Sequence, residues 1–293
     1  MKYTVYALAL ATACAVPAFL HAQTKPTEIY VSVVDSKGDP VTGLTAADFR
    51  VREDNTAREV LSAAQATEPL TVAFLVDDSQ ATQPGTQMIR EAVDTFITAL
   101  QGHADMSLST FGERPTLLVD YTNDTAKLKA AAKRIFPRQG AGAYLTEAIR
   151  EVSRGFQKRE AKRPVIVVLA IDDEPEFSNL HYEQVLDELA KGRAALHVVA
   201  LGGPNASLSD EMRNRNQVIA LGTERTGGRR DNVLALTAAA PKMKQLADEL
   251  LKQYVVTYSR PQQLIPPEKI EVTVTKPGLT ARARTRTGEA GAR

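Results

Sequence analysis

The chain holds 293 residues, 43% of them hydrophobic, with 36 Lys and Arg against 35 Asp and Glu and a single cysteine. That length can bury a substantial core and suits one large α/β domain with a smaller companion. The balanced charge excludes a general electrostatic grip on nucleic acid or anionic lipid.

Residues 1–22 have the form of a secretory signal. Lys2 is the positive end, Tyr3 to Phe19 is almost wholly apolar or small, and Leu20-His-Ala22 forms a cleavage context before Gln23. Pro17 interrupts the short run, so cleavage is expected rather than anchoring, with no stable membrane insertion afterwards. Cys14 lies in Ala11-Thr-Ala-Cys14, which lacks the leading Leu or Val of a lipoprotein box and reads as a small apolar residue of the signal. Cleavage after Ala22 removes Lys2 and the only thiol, so the mature chain is neutral (35 against 35) and has no disulfide or thiolate metal site. The expected location is secreted or periplasmic.

Residues 23–68 read as a small β unit. Ile29, Val31 and Val33 alternate with Tyr30, Ser32 and Val34 as a half-buried strand, and Ser36-Lys-Gly-Asp-Pro40 is a turn. Thr45 caps one helical turn that ends in a core Phe49, and Asp54-Asn55 closes a hairpin into Ala57–Ala66. Such a unit is too small to be stable without a partner surface.

Pro69 marks a change to strands alternating with helices over 69–259. Predicted strands are Leu70–Val76, Asp105–Phe111, Thr116–Val119, Pro164–Ile171, Ala195–Leu201 and Gln253–Tyr258. Predicted helices are Gln87–Leu100, Asp124–Ile135, Tyr144–Phe156, Tyr182–Lys191 and Ala238–Leu251. The alternation predicts a doubly wound, mostly parallel sheet with functional loops at the carboxyl ends of its strands. In the polar stretch 202–233 a short helix is expected near Leu208–Arg215 and a short strand near Gln217–Leu221. After the proline-rich break at Pro261–Pro267, Lys269–Thr275 and Leu279–Thr287 form a possible hairpin. Residues 260–293 would then pack on the amino-terminal unit, with the basic tail Arg282, Arg284, Arg286 and Arg293 solvated.

The most informative stretch is Val72-Ala-Phe-Leu-Val-Asp-Asp-Ser-Gln-Ala81, an apolar strand that ends in an acidic loop. Its Asp77-x-Ser79 resembles the first loop of a von Willebrand factor type A domain, whose adhesion site reads Asp-x-Ser-x-Ser. Further segments are similar to a bacterial secreted group of such proteins: Ser32-Val-Val-Asp-Ser-Lys-Gly-Asp-Pro-Val41, Gly43-Leu44, Asp48-Phe-Arg-Val-Arg-Glu-Asp54 and Thr226-Gly-Gly-Arg229. So are Ala247-Asp-Glu-Leu-Leu-Lys-Gln-Tyr254 with Tyr258, Ile270-Glu-Val272, and Gly278-Leu279 with Arg282-Ala-Arg284; together they span Glu28 to Gly288.

The resemblance implies a type A-like, Rossmann-like fold and a cation site built from three loops. Asp77, Ser79 and Asp172 stand at ligand positions, whereas Ala81 and Ala143 replace a serine and a threonine. Thr146 is nearly a helical turn away from Ala143 and does not substitute for the lost hydroxyl. The site is thus degenerate. Mg²⁺, Mn²⁺ or Ca²⁺ would be held weakly with water filling the vacant positions, or not at all. Asp78, Asp173, Glu174 and Glu176 read as solvated loop charges and strand caps that could at most attract a cation loosely.

Catalysis has little support. His103, His181 and His197 form no paired motif, Ser79 has no histidine base, and Gly140-Ala-Gly142 lacks the lysine of a phosphate loop. His197, in an apolar strand, is expected to be a hydrogen-bonded core residue, and His181 a surface helix residue. The resulting expectation is a non-catalytic binding module for a protein partner at the cell envelope, working through the loops after Val76, before Tyr144 and after Ile171. The alternatives are a scaffold subunit that uses sheet edges or Arg225–Arg230, and a metal-dependent hydrolase.

Overall fold

The computed structural model describes residues 24–159, 161–203, 209–262 and 266–286. The signal segment with Cys14, Leu208 and Arg293 lie outside the described residues. The chain opens with β1 (Thr24–Val34), β2 (Phe49–Glu53), β3 (Thr56–Arg58) and β4 (Val60–Gln65). It continues through β5 (Leu70–Val76), α1 (Thr86–Ala99), β6 (Ala104–Thr110), β7 (Thr116–Thr122), α2 (Thr125–Ala132) and α3 (Leu145–Arg159). Then follow β8 (Pro164–Ile171), α4 (Tyr182–Gly192), β9 (Ala195–Leu201), α5 (Asp210–Thr226), β10 (Arg230–Val233) and α6 (Ala239–Leu251). The last strands are β11 (Tyr254–Pro261), β12 (Ile270–Val274) and β13 (Thr280–Ala283).

The large unit is a six-stranded sheet in the order β10-β9-β8-β5-β6-β7, parallel except for the antiparallel edge pair β6–β7. Its strands are buried on both faces because their side chains alternate between two helical layers. Val72, Phe74 and Val76 pack with α1, α2 and α6, while Ala73 and Leu75 pack with α3, α4 and α5. Phe74 meets Phe96 of α1 edge-on at 5.0 Å. The acidic cap Asp124 accepts from the Ala126 and Lys127 N–H groups, as its position before α2 predicts.

The small unit is a sandwich of two sheets, β13-β1-β11-β4 and β12-β2-β3. Asp54 and Asn55 both take positive φ (46° and 65°), which makes the tight β2–β3 hairpin turn. Four expectations are corrected here. The hairpin return Ala57–Ala66 divides into β3 and β4, which serve different sheets. The strand expected to close the large unit, β11, instead pairs with β1 and β4, because its alternating Tyr254, Val256 and Tyr258 fill the sandwich core. Strands β12 and β13 do not form a hairpin with each other; β12 pairs with β2 and β13 with β1. Finally, the strand expected near Gln217–Leu221 is helix. Met212, Arg215, Val218, Ile219 and Gly222 line the buried side of α5 at helical spacing.

Strand β1 is also less one-sided than its pattern suggests. Ser32, on the face away from the sandwich core, is buried and accepts a hydrogen bond from Gln253 Nε2 at 3.0 Å. The junction beside it is ionic. Glu249, at the end of α6, has no exposed side-chain surface and lies 3.0 Å from Arg229 Nη1 and 2.6 Å from Arg282 Nη2. Arg229 also contacts Asp231 at 2.6 Å. Burial alone would raise the Glu249 carboxyl, but Arg282, His197 and Arg229 outweigh it and hold the group below the ordinary range. Arg282 is therefore part of an internal clamp rather than of a solvated tail.

His197 of β9 sits against this clamp, fully buried, and neither ring nitrogen finds a hydrogen-bond partner among the described residues. The expected hydrogen-bonded histidine is thus a desolvated one. Burial dominates and pushes it down to about 4; Arg282 and Arg229 add to this, while Glu249 and Asp231 oppose it.

Two outcomes follow from the junction. Replacing Glu249 by Gln leaves two guanidiniums without their shared counter-charge and should cost about 3 kcal/mol in urea unfolding; a change below about 0.5 kcal/mol would show that the clamp is not structural. The His197 ring charges near pH 6.5 in the unfolded chain but only near 4 in the fold. Its contribution is complete above 6.5 and is lost as pH falls towards 4, by about 3 kcal/mol. Stability measured against pH should lose that part of its acid slope in His197→Leu.

Candidate functional site

Three loops leave the carboxyl edge of the large sheet and lock onto one another. In the first, Asp77 is buried; its Oδ1 accepts from Ser79 N at 2.8 Å and its Oδ2 from Ile171 N at 3.0 Å. Burial raises the Asp77 carboxyl, opposed by Ser79, the Ile171 N–H and the positive charge of Arg215. The Ser79 hydroxyl is fully buried beside Asp77 but makes no well-formed hydrogen bond among the described residues. Asp78 is no solvated charge. Its Oδ1 accepts from Gly112 N at 2.7 Å and its Oδ2 from Arg138 Nε at 2.8 Å. A Cβ on Gly112 would lie 2.7 Å from Asp78 Oδ1 and from Ser79 N, so the close approach requires glycine.

The second loop carries Arg138, whose backbone N–H also reaches Asp78 O at 2.9 Å. Ala143, at the expected threonine position, is fully buried; its N–H donates to Pro175 O and its carbonyl accepts from Phe177 N. Glu176 of the third loop turns inward to the start of α3. Its carboxylate accepts from Leu145 N and Thr146 N, each at 3.2 Å, satisfying donors that a helix start leaves open. Glu176 is thus a buried helix cap, and Thr146 contributes to that cap instead of to the loop tops.

Asp172 N extends the sheet to Leu201 O, and its carboxylate faces a guanidinium: Arg230 Nη2 lies 2.8 and 2.7 Å from the two oxygens. Arg215, buried on α5, donates to Asp172 O and Ile171 O, each at 2.9 Å. Its charge also lowers the acidity cost at Asp77, Glu174 and Glu176. Glu174 is pushed up to about 7 by burial, with Asp77 and Asp173 adding to it.

The structure therefore brings Asp77, Ser79 and Asp172 to neighbouring loops but engages them internally. All four carboxylate oxygens of Asp77 and Asp172 already accept hydrogen bonds, two of them from a guanidinium. Among the described residues no three acidic, histidine or cysteine side chains gather as a cation would need. As arranged, these residues do not fit a divalent ion, since Arg230 would first have to leave Asp172. His181 caps α4 at the surface, with its ring 4.6 Å from that of Tyr182. The Arg225–Arg230 segment is likewise committed inward, through Arg229 to Glu249 and Arg230 to Asp172.

Above this floor lies a shallow depression of about 800 Å³ lined by Ala81, Pro84, Gly142, Glu174, Pro175 and Phe177, among others. Phe177 is 54% exposed, and its ring occupies the space a side chain on Gly142 would need, 1.9 Å from such a Cβ. Phe136 and Leu234, 59% and 78% exposed, stand on neighbouring loops of the same edge. Neither Arg215, Arg230 nor Phe177 follows from the loop motifs. The signal for Arg215 was its place on the apolar stripe of a helix whose length the sequence understated.

Residues 72–174 match the family model described as von Willebrand factor type A domain. The fold is similar to a von Willebrand factor type A protein from Catenulispora acidiphila, with TM-score 0.51 and 9% identity over 92% of this chain and 75% of that one. It is also similar to proximal thread matrix protein 1 from the mussel byssus, solved with a zinc-occupied MIDAS motif, with TM-score 0.51 and 13% identity over 68% of this chain. The chain spans half the length of that mussel protein. Among curated proteins, none matches this sequence. Over residues 72–174 the chain is thus similar to a von Willebrand factor type A domain, and the two-layered, mostly parallel sheet has that domain's fold.

Proposed function

We propose that the chain is a secreted or periplasmic, non-catalytic binding module that takes a protein partner on the loop edge and needs no metal to do so. The observation that carries this reading is the exposure of Phe177 over a polar floor in which Asp77, Asp78 and Asp172 already have their hydrogen-bond partners. A large, fixed aromatic ring in a concave setting, with Phe136 and Leu234 nearby, is the composition of an interface anchor. Beneath it, Arg215 and Arg230 supply the positive charge that a cation would bring. A guanidinium stays charged at every relevant pH and is not diluted away, so the loops keep their shape without an ion. The secreted or periplasmic location rests on the signal-like residues 1–22.

A second reading has its own observation. Leu61 and Leu117 are exposed on the edge strands β4 and β7, where a scaffold subunit could add a strand.

Photo-crosslinking in the native host separates the two. A photoreactive residue at 177 or 234 should give a discrete protein adduct, and one at 61 or 117 should not; the reverse pattern would sink the loop-edge reading. Metal independence is tested by thermal unfolding after EDTA across Mg²⁺, Mn²⁺ and Ca²⁺ titrations. The native chain should show no saturable rise up to several millimolar. Arg230→Met should lower stability by about 3 kcal/mol, because Asp172 is left as an unpaired buried charge, and should become cation-responsive. A saturable rise in the native chain that Asp77→Ala removes would restore a metal-dependent site.

A further inference from the structure

The end of the molecule opposite the loop edge holds a second cavity, of about 710 Å³, between the two units. Its walls come from the amino-terminal ends of β8 and β9 (Pro164, Val165, Ala195) and from β1, β11 and β12 of the sandwich. Among the described residues five cationic side chains line it, Lys162, Arg163, Arg193, Arg260 and Arg284, against the two carboxylates of Glu28 and Glu68. Three of these cations have partners. Lys162 lies 3.7 Å from Glu68 and Arg260 3.4 Å from Glu53. Arg163 donates only to neutral acceptors, the carbonyls of Glu68 and Leu250 and the amide of Gln253, and lies over the Tyr30 ring. Among the described residues, neither the Arg284 nor the Arg193 side chain has a hydrogen bond or an ion pair.

Arg284 is not loose. Thr285 N donates to Arg225 O at 3.0 Å, and Ile270 N donates to Thr285 O at 2.8 Å. Gly227, at φ 77°, lets the chain pass so closely that a Cβ there would sit 2.7 Å from Arg284 N. The backbone on either side of Arg284 is thus fixed, and its partly buried side chain lines the cavity. Burial pushes Arg284 down to about 10, and the like charge of Arg193 adds to that. Two like charges facing one cleft, neither paired with the carboxylates of Glu28 or Glu68, make a site for an anion. Beside the polar Thr27, Thr226 and Gln253, the lining offers Ile29, Val165, Ala195, Ile270 and the Tyr30 and Tyr258 rings to an apolar body. The volume falls in the range of small-molecule sites, which favour domain interfaces.

We propose that this cleft binds a small organic anion, a carboxylate or phosphate on a short apolar body, with Arg284 and Arg193 taking the anionic head. The test is thermal unfolding of the purified chain at constant ionic strength, with hexanoate, citrate or inorganic phosphate, and with hexanamide as the neutral control. At least one anion should raise Tm saturably, by about 3 °C at tenfold over its Kd, while hexanamide has no effect. Arg284→Met should unfold at a higher temperature than the native chain in anion-free buffer and lose the response. Arg193→Met, at an exposed position, should keep the fold and weaken binding at least tenfold by calorimetry. The proposal is overturned if no anion gives a saturable rise, or if hexanamide does as well as hexanoate. It is equally overturned if both variants respond like the native chain.

Discussion

The buried carboxylate of Glu249 is the contact on which the arrangement of this protein depends. The small sandwich meets the large unit along β1, β11 and the end of α6. There Glu249 holds Arg229 from the large sheet's edge and Arg282 from β13. Both arginines are neighbours of residues with work elsewhere. Arg230, next to Arg229, reaches up to Asp172 at the loop edge. Arg284, two residues beyond Arg282, lines the cleft below. One desolvated acid thus sets the register of two basic segments that supply opposite ends of the molecule. A buried pair is poor evidence of net stability but is costly to break, which suits a device for orientation.

At the loop edge, side chains offset the charge of the converging carboxylates. Three loops that converge on a sheet edge concentrate carboxylates, and something positive must offset them. Here Arg215 enters from below through the α5 stripe, and Arg230 enters from the adjacent strand. The result is a floor in which Asp77 and Asp172 are engaged internally, closed by the backbone hydrogen bonds that Ala143 N donates to Pro175 O and Ala143 O accepts from Phe177 N. With the floor rigid, the apolar side chains around it can stay exposed without collapsing inward. Glu174 is the least comfortable member, its carboxyl raised to about 7 between Asp77 and Asp173.

Much of the fold was legible in the residues because period and burial agree. The all-apolar Pro164–Ile171 could only be a strand covered on both faces, and Asp124 before Leu128 could only cap a helix. The misreadings share one cause. Polar or small residues were judged by composition where partners decided their state. The Gln217–Leu221 run, expected as a strand, continues the helix because Arg215 is buried and bonded to carbonyls on its apolar side. The basic tail looked solvated because nothing in a single sequence reveals a waiting Glu249. At the candidate site, the positions of Asp77, Ser79 and Asp172 were visible, but not their engagement.

What the sequence determined by itself is local and periodic: the strand–helix alternation, the caps and the tight turn at Asp54-Asn55. Only the tertiary structure decided which charges meet. Arg230 and Asp172 are separated by 58 residues, Arg282 and Glu249 by 33. Local propensity carries no information about such pairs, because an ion pair is selected by where folding leaves each charge without water. That selection also left Arg284 and Arg193 facing one cleft with no ion-pair partner among the described residues.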